Sequence, residues 1–536
     1  MTPLECVLAD PDDDTARMVY ADELQSAGDF RGELIAVSCA LAACADDDPR
    51  RLDLARRELA LMRPLLPVWI EELGVKDVPT WLARGFPDYM DIATRELLRI
   101  APTLWTRVPL SRLYLRGMSR EDCDRLCGLA AGPLRSLIIV EIAKTDLEPS
   151  AILELVDAPA LAQLRSLEVS GLPLDDDGLV ALAGTRLPQL SSLTISGHQN
   201  RTKVTRKGLT AALNDPAVRK LRELRFRWFS LKTPPARCFT KATCADKLEV
   251  LVFDGCKLGA EGAQLVLDSE VLPSLAQLSL LDNKLGDAPP PRVGPPLAKT
   301  LRRLELSQNG IDDAWIRAFV AARPLAITHL GLRGNHITAD GVRAIIESPN
   351  LTQLETLSVA TPNWNIPAWG PALAALVELP AFARLRSLDA SNAGVTAEGV
   401  AALARSPNAR NLKRLAFGHT PLGVAAARSL AASEHLTTLE CLELHYTDIG
   451  DEGVEILCKS SAFPNLRYLQ LSGNKLGQRG ITALSSTTAF PSLRVLKLYE
   501  AKQAVRVIEQ NLGALVDLGD FTSSMGRWLA DDEWLV

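Results

Sequence analysis

The chain has 536 residues, 47% hydrophobic and 23% charged, a composition typical of folded globular proteins. Its formal net charge of -6 does not favour general nucleic-acid binding, because domains that bind nucleic acid usually carry a positive excess. The first residues lack a basic segment followed by an apolar core, and no run of about 18 apolar residues occurs, so neither an export signal nor a membrane span is predicted. The ten cysteines are scattered without a CxxC pair, which favours free thiols and a cytoplasmic protein.

Residues 1–75 are predicted to form a small helical module. The turn 8–14 (LADPDDD) precedes an amphipathic helix over 16–24, and a second helix begins at residue 31. The LADPDDD turn, the VYAD stretch 19–22 and the RGE segment 31–33 resemble the bacterial repeat-companion domain, although Glu23 stands where that family usually has tryptophan. The resemblance implies no catalytic activity. It leaves two roles open, a cap on the first repeat or a surface that recruits a separate partner.

A pattern close to LxxLxLxxN recurs over residues 110–500, in about fifteen copies that are mostly 26–31 residues long. The alternating leucines predict a short strand with leucines in the core and the intervening residues on an open face. Small polar residues eight positions after the first leucine are predicted to hydrogen-bond turn backbone as a ladder. A glycine fourteen positions after that leucine precedes a helical pattern, and we expect it to allow close helix–strand packing.

These units resemble the ribonuclease-inhibitor-like class of leucine-rich repeats, and residues 448–457 (DIGDEGVEIL) are close to its helix signature. The resemblance implies an α/β solenoid, a horseshoe with a parallel sheet on the concave face and helices on the convex face. Fifteen strands about 4.8 Å apart give an arc of roughly 70 Å, which suits a macromolecular partner. We predict a degenerate joining repeat over 76–109, a carboxy-terminal cap with Trp528 and Trp534 over 501–536, and irregular proline-rich chain over 288–296 and 361–371.

Large residues on the open face are the candidate partner contacts. Positions two, four and six after the first leucine are predicted to line that face, and many of them are small. Aromatic, arginine and other large residues, several of them common at interface hot spots, concentrate in three groups. The first is Arg112, Tyr114 and Arg116; the second is Arg225, Arg227 and the adjacent Trp228; the third is Glu443, His445, Tyr446, Tyr468, Gln470, Lys497 and Tyr499. A solvated sheet face without a partner could carry the same residues, so both interpretations stay open.

A basic stretch over residues 200–247 has thirteen Lys or Arg against three acidic residues. It is a second candidate surface, for an acidic protein partner or a phosphate-bearing ligand, unless it is merely solvated.

The sequence therefore predicts a non-catalytic scaffold that binds a protein partner. Only six histidines occur, with no HExxH motif, no cysteine cluster of zinc spacing and no phosphate-binding loop, so no catalytic, metal or cofactor site is predicted. The alternative is a GTPase-activating or other regulatory protein acting on a bound enzyme, as some horseshoes of this repeat class do. The repeats specify a surface and leave the identity of the partner open.

Overall fold

The computed structural model describes residues 1–45, 48, 50–130, 132–141, 146–183, 187–197, 203–228, 238, 242, 245–360, 369, 372–499, 508, 512 and 515–517. Two compact units form. The amino-terminal unit comprises Met1–Ala43, Leu61–Leu285 and Pro291–Arg302, and the carboxy-terminal unit comprises Cys44–Ala60, Gly286–Pro290 and Arg303–Val536. The predicted cap residues Trp528 and Trp534, and most of the proline-rich segment 361–371, lie outside the described residues.

The chain begins with helices and then alternates strands with helices. The first part contains α1 Pro3–Ala9, α2 Asp14–Ser26, α3 Phe30–Ala43, α4 Arg51–Glu72, β1 Thr80–Ala83, β2 Phe86–Ala93 and α5 Thr94–Leu104. It continues with β3 Arg112–Arg116, α6 Arg120–Cys127, β4 Ser136–Val140, α7 Ser150–Leu155, β5 Ser166–Ser170, α8 Asp176–Ala183, β6 Ser192–Ser196, α9 Arg206–Asn214, β7 Glu223–Arg227, β8 Val250–Asp254, α10 Gly259–Leu267, β9 Gln277–Ser279 and α11 Pro295–Thr300. Strands β2 to β9 pair in parallel in sequence order.

The carboxy-terminal unit repeats the same alternation. Its elements are β10 Arg303–Glu305, α12 Asp313–Ala321, β11 His329–Gly331, α13 Ala339–Glu347, β12 Thr356–Ser358, α14 Ala372–Val377, β13 Ser387–Asp389, α15 Ala397–Arg405, β14 Arg414–Ala416, α16 Gly423–Ala431, β15 Cys441–Glu443, α17 Gly450–Leu457, β16 Tyr468–Gln470, α18 Gln478–Ser486, β17 Val495–Lys497 and β18 Leu515–Asp517. Strands β10 to β18 are also parallel and in sequence order. The predicted α/β class with one strand and one helix per repeat is confirmed.

The strand leucines form the core of each unit, as the alternation predicts. Leu330, Leu357 and Leu388 are directly opposite one another on β11, β12 and β13. All three are buried, whereas their strand neighbours His329 and Thr356 are half-buried on the opposite face. Apolar helix positions pack on the same leucine side, so each repeat contributes one layer to a continuous core.

The predicted ladder of polar side chains is present. Asn335 is completely enclosed, and its Oδ1 accepts hydrogen bonds from the backbone N–H groups of Asn309 at 2.9 Å and Ile311 at 3.0 Å. Its Nδ2 donates to the carbonyls of Leu306 at 3.0 Å and Leu332 at 2.9 Å. Asn283 and Asn474 bond turn backbone in the same way in other repeats. Each of these side chains satisfies backbone groups of two neighbouring repeats.

Two of the repeat glycines, Gly341 and Gly480, lie in the first turn of their helices and have a different neighbour from the one expected. A Cβ on Gly341 would lie 2.2 Å from the carboxylate of Asp313, which belongs to the helix of the preceding repeat. That carboxylate also accepts a 2.9 Å hydrogen bond from the Thr338 backbone N–H, just before α13. Gly480 lies against Asp451 in the same arrangement. The expectation of helix–strand packing is therefore wrong for these glycines, which let an aspartate of one helix cap the start of the next.

The proline-rich segment 288–296 is irregular only in part. Residues 288–294 have no helix, as expected, but α11 begins at Pro295. Proline is accommodated in the first turn of a helix, because the backbone N–H groups there have no intrahelical partner.

The amino-terminal helices pack on the hairpin β1–β2, whose two strands are antiparallel. Arg17 lies between these helices and the hairpin. Its guanidinium donates hydrogen bonds to the carbonyls of Pro11 and Arg84 and lies 4.9 Å from the Phe86 ring centroid. Asp12 forms a 2.8 Å ion pair with Arg135 just before β4. The residues of the LADPDDD turn thus join the helical module to the first repeats. The extra strand β1 was not predicted from the sequence.

Candidate functional site

The open face of the carboxy-terminal unit carries the side chains at positions two, four and six of each repeat. A further column lies just after the strand, at position seven. In that column Gln308, Asn392, His419 and Tyr446 have positive φ angles of 57°, 57°, 57° and 52°. Left-handed backbone costs a residue with a Cβ on the order of 1–2 kcal/mol, so the repeat geometry imposes this conformation on them.

Three large position-seven side chains lie over a glycine of the following repeat. A Cβ on Gly473 would lie 2.4 Å from the Tyr446 ring, and a Cβ on Gly334 would lie 2.8 Å from Cγ of Gln308. In the amino-terminal unit a Cβ on Gly255 would lie 2.1 Å from the Trp228 ring. Each of these three side chains would be displaced by any residue larger than glycine at that place in the next repeat.

His419 and Tyr446 form a stacked pair, which we call the His–Tyr stack. Their ring centroids are 4.7 Å apart with an interplanar angle of 12°. His445 meets His419 edge-on, with ring centroids 4.9 Å apart. Tyr446 is 43% exposed, one of the few large apolar side chains in that condition among the described residues. Because His419 and Gly473 cover the two faces of the Tyr446 ring, the stack presents mainly the edge of that ring to solvent at the margin of the open face.

A row of alternating charges lies beside the His–Tyr stack. Arg333 donates from Nη1 to Asp389 at 3.2 Å, and Arg414 donates from Nη2 to Glu443 at 2.6 Å. Asp389 also accepts from the Ser358 hydroxyl at 3.2 Å. Burial alone would raise the pKa of Asp389, but the charges of Arg333 and Arg414 hold it below its usual value. The Asp389 carboxylate is therefore ionised and enclosed.

Exposure within the charged row is uneven. The side chain of Arg333 is 57% exposed, whereas that of Asp389 is 2% exposed. Glu443 is also buried. The row is balanced in charge, yet the part that solvent reaches is mainly the Arg333 guanidinium.

The two histidines of this region are neutral at pH 7. Burial lowers the pKa of His445 to about 4, with Glu443 opposing the shift and His419 and Arg333 reinforcing it. Burial and the charge of Arg333 also lower the pKa of His419. Both imidazoles therefore act as uncharged aromatic rings next to a fixed guanidinium.

The third predicted group is only partly on the surface. Glu443, His445 and Gln470 are 8%, 7% and 5% exposed, so the expectation that they face solvent is wrong. They are enclosed because position-four and position-six side chains lean across small neighbours. A Cβ on Gly418, for instance, would lie 2.0 Å from the His445 ring. Tyr468, Lys497 and Tyr499 are half-buried, and the Tyr468 hydroxyl donates to Gln470 at 3.3 Å.

The first predicted group is a set of ion pairs on the open face of the amino-terminal unit. Arg112 is 2.6 Å from Asp88, and Arg116 is 2.7 Å from Asp91, with the carboxylates on β2. Tyr114 lies between these arginines on β3 and is half-buried. Desolvation raises the pKa of Asp91, and the charge of Arg116 opposes that shift. Neighbouring strands therefore neutralise these arginines.

The second group shows the same pairing. Arg225 is 3.1 Å from Glu223 and Arg227 is 3.7 Å from Asp254, while Trp228 is 54% exposed. Two other arginines of the basic stretch are paired too, Arg219 with Asp246 at 3.4 Å and Arg222 with Glu249 at 3.1 Å. Four of its basic residues, Arg201, Lys232, Arg237 and Lys241, lie outside the described residues. Lateral pairing reduces the positive surface that the sequence count suggested.

Arg333, Asp389, Arg414 and His419 were not among the predicted contacts. The position rule reaches three of them, because Arg414, Asp389 and Arg333 occupy positions two, four and six of their repeats. They were missed because each has small residues around it in sequence, whereas the structure gathers them from three different repeats. His419 occupies position seven, which lies after the strand, so the alternation of strand residues does not identify it.

The described residues contain no helix long and apolar enough to cross a membrane. They also contain no group of three or more His, Cys, Asp or Glu residues placed to hold a metal ion.

Comparison with known proteins agrees with the fold. The family described as "Leucine Rich repeat" matches residues 298–314, 327–345, 435–458 and 464–485. These stretches and the repeated strand–helix unit define the fold as a leucine-rich-repeat solenoid. The search of curated proteins found no match.

Three solved structures are similar at low identity. The complex of Rad7 and Elc1 in yeast is 14% identical and covers 87% of this chain and 92% of that chain, with a TM-score of 0.40. An internalin (InlF) of Listeria monocytogenes is 16% identical to this chain, and the match covers 75% of this chain and 85% of that chain with a TM-score of 0.26. The complex of TLR13 with ssRNA13 is 16% identical, and the match covers 76% of this chain and 60% of that chain with a TM-score of 0.31.

Proposed function

We propose that this protein is a non-catalytic, cytoplasmic scaffold that binds a protein partner on the open face of its carboxy-terminal unit. The observation that carries the proposal is the His–Tyr stack. Tyr446 is exposed, yet it is held by stacking on His419 and by its position over Gly473. An aromatic side chain that is already fixed loses little conformational entropy on binding, which is what an interface anchor requires.

The surroundings of the stack support a macromolecular partner. Positions around it are small or already paired within the protein, as Arg414 is with Glu443. A partner would therefore meet a surface of small or internally paired side chains with a few projecting groups, the arrangement found at interface hot spots.

We further propose that residues 1–75 are a repeat-companion module acting as a cap, and that the repeats are of the ribonuclease-inhibitor-like class. The contacts of Arg17 with Pro11 and Arg84, and of Asp12 with Arg135, support the cap. A close packing of α2 on α3 supports it as well. A Cβ on Gly32, in the RGE segment, would lie 2.4 Å from the carbonyl oxygen of Ala21, so only glycine fits there.

The test is capture of binding proteins by the full chain in its native host. Wild type is compared with the triple variant Tyr446→Ala, Tyr468→Ala, Tyr499→Ala, and with Arg428→Ala as matched control. Arg428 lies on α16 and forms an exposed ion pair with Glu452. We expect a partner that wild type and the control recover equally and that the triple variant recovers at least tenfold less. Equal recovery by the triple variant, with an unchanged circular dichroism spectrum, would contradict the proposal.

A second measurement separates binding from regulation. If the recovered partner hydrolyses GTP, its rate is measured with and without the purified chain. An unchanged rate supports a scaffold, whereas acceleration would replace it with the GTPase-activating alternative.

A further inference from the structure

We infer that the open face of the carboxy-terminal unit recognises an extended acidic segment of its protein partner. One carboxylate of that segment pairs with Arg333, and a proline or aromatic side chain two to four residues away lies on the His–Tyr stack. The inference rests on the proposed function and adds the chemistry of the occupant.

The Arg333 guanidinium is oriented so that it can bind a second carboxylate. Its Nη1 is held by the buried Asp389 at 3.2 Å, and no other ion pair or hydrogen bond of this guanidinium occurs among the described residues. Asp389 is fixed in turn by the Ser391 backbone N–H at 3.0 Å and the Ser358 hydroxyl. The guanidinium is thus oriented while its remaining N–H groups stay in solvent. A planar carboxylate matches such a pair of N–H groups better than any neutral group does.

The charge that the row from Arg333 to Glu443 exposes to a partner is positive. Asp389 and Glu443 are enclosed, and Arg414 is largely covered by its contact with Glu443, its side chain being 13% exposed. Arg333 is the exposed end of the row. A partner carboxylate therefore approaches a guanidinium whose neutralising groups lie behind it, which favours attraction over repulsion.

The open face between Arg333 and the His–Tyr stack carries only small side chains at position six. Position six is Ala360, Ser391 and Gly418 in the three repeats between Arg333 and His445. Arg333 extends across Ala360 to Asp389 on β13, and the His445 ring extends back over Gly418 beside β14. Among the described residues, no large side chain stands at position six between them, which leaves a low surface for an extended backbone.

The spacing of the two contact points sets the spacing in the partner. The Arg333 guanidinium lies above β13 because it contacts Asp389, and Tyr446 belongs to the repeat of β15, two strands further on. Two strand intervals are roughly 10 Å, and an extended chain spans this with about three residues. The carboxylate and the flat apolar group are therefore expected two to four residues apart.

The stack selects a flat apolar side chain. Tyr446 and the neutral His419 are parallel, and Tyr446 is exposed. Proline and aromatic rings pack against the exposed edge of the Tyr446 ring at little entropic cost, whereas a lysine would be repelled by Arg333.

The experiment uses the purified full chain and a phage-displayed library of random twelve-residue peptides. It compares wild type with Arg333→Gln, Arg333→Lys and Tyr446→Ala, and with Arg428→Ala as control. We expect wild type and the control to enrich peptides with Asp or Glu two to four residues from Pro, Phe, Tyr or Trp. The Arg333→Gln selection should lose the acidic preference and keep the apolar one, and Tyr446→Ala should do the reverse.

A binding measurement completes the test. Replacing the acidic residue of one selected peptide by its amide should weaken binding about tenfold to wild type and less than twofold to Arg333→Gln. Arg333→Lys keeps a positive charge beside Asp389 but cannot form the bidentate contact with the peptide carboxylate, so it controls for folding.

The outcomes of the two tests can be told apart. Absence of acidic enrichment with wild type, or its persistence with Arg333→Gln, would overturn the inference even if the native partner still depends on Tyr446. Equal recovery of the native partner by the triple tyrosine variant would overturn the proposed function itself.

Discussion

Replacing Asn335 by alanine tests how the ladder of buried side chains holds neighbouring repeats together. The Asn335 side chain satisfies four backbone groups, the N–H groups of Asn309 and Ile311 and the carbonyls of Leu306 and Leu332. Alanine leaves those groups enclosed without this partner. A buried donor without an acceptor costs about 1–3 kcal/mol, and carbonyls with a second partner cost less, so we expect a local loss of about 3 kcal/mol.

Hydrogen exchange followed by mass spectrometry is the suitable assay, because repeat proteins open locally and one unfolding midpoint would average over the array. In Asn335→Ala, peptides containing residues 309–311 should exchange about a hundredfold faster, which corresponds to about 3 kcal/mol at 1.4 kcal/mol per factor of ten. Peptides at the far end of the unit should be unchanged. Asn465→Ala serves as control, since its single 2.9 Å bond to the Thr437 carbonyl is exposed. If Asn335→Ala changes exchange no more than the control does, the ladder contributes nothing and the reasoning fails.

Three other variants probe the packing and the charged row. Gly32→Ala should lower the melting temperature by several degrees, because its Cβ would overlap the Ala21 carbonyl and separate α2 from α3. Arg414→Ala should cost about 3–5 kcal/mol in urea unfolding of the carboxy-terminal unit, because it leaves the enclosed Glu443 without its counter-charge. His445→Gln should flatten the pH dependence of stability. Burial holds the pKa of His445 near 4, below the usual 6.5, so the stabilising contribution is present above about pH 6.5 and is lost as the pH falls toward 4.

Matched variants make these outcomes specific. Gly128→Ala meets its nearest atom at 3.5 Å and should leave the melting temperature within about a degree, so an equal effect at Gly32 would show that its close contact is unimportant. Arg222→Ala breaks an ion pair that is about half exposed on both sides and should cost less than about 1 kcal/mol. For His445→Gln, the readout is the difference in unfolding free energy between pH 7 and pH 4.5. An unaltered slope would mean that another group titrates there.

The repeat fold could be predicted because its determinants are periodic. Leucine alternation at each strand and an asparagine at position eight recur at fixed spacing, and each acts through a local rule of backbone geometry. The packing of glycine was predicted less well. Gly341 contacts Asp313 of another repeat, and the period of the sequence does not reveal which element faces it.

The candidate site was predictable only in part. Position counting placed Tyr446 beside the open face, but it treated every alternate residue as exposed, and Glu443 is enclosed because its neighbours lean over it. The row from Arg333 to Glu443 depends on side chains that reach across one or two strands. Such reach depends on small residues like Ala360 in the intervening repeats, and no single repeat contains that information.

The glycines beneath Tyr446 and Trp228 have a consequence for redesign of this surface. Tyr446 with Gly473, and Trp228 with Gly255, occupy adjacent repeats, so neither member can be moved alone. If the repeat of Tyr446 were inserted ahead of a repeat with a residue larger than glycine at this column, the Tyr446 ring would be displaced from its present position. The smallest portable recognition element in this array is therefore a pair of consecutive repeats, and grafts or shuffled libraries should be cut at that boundary.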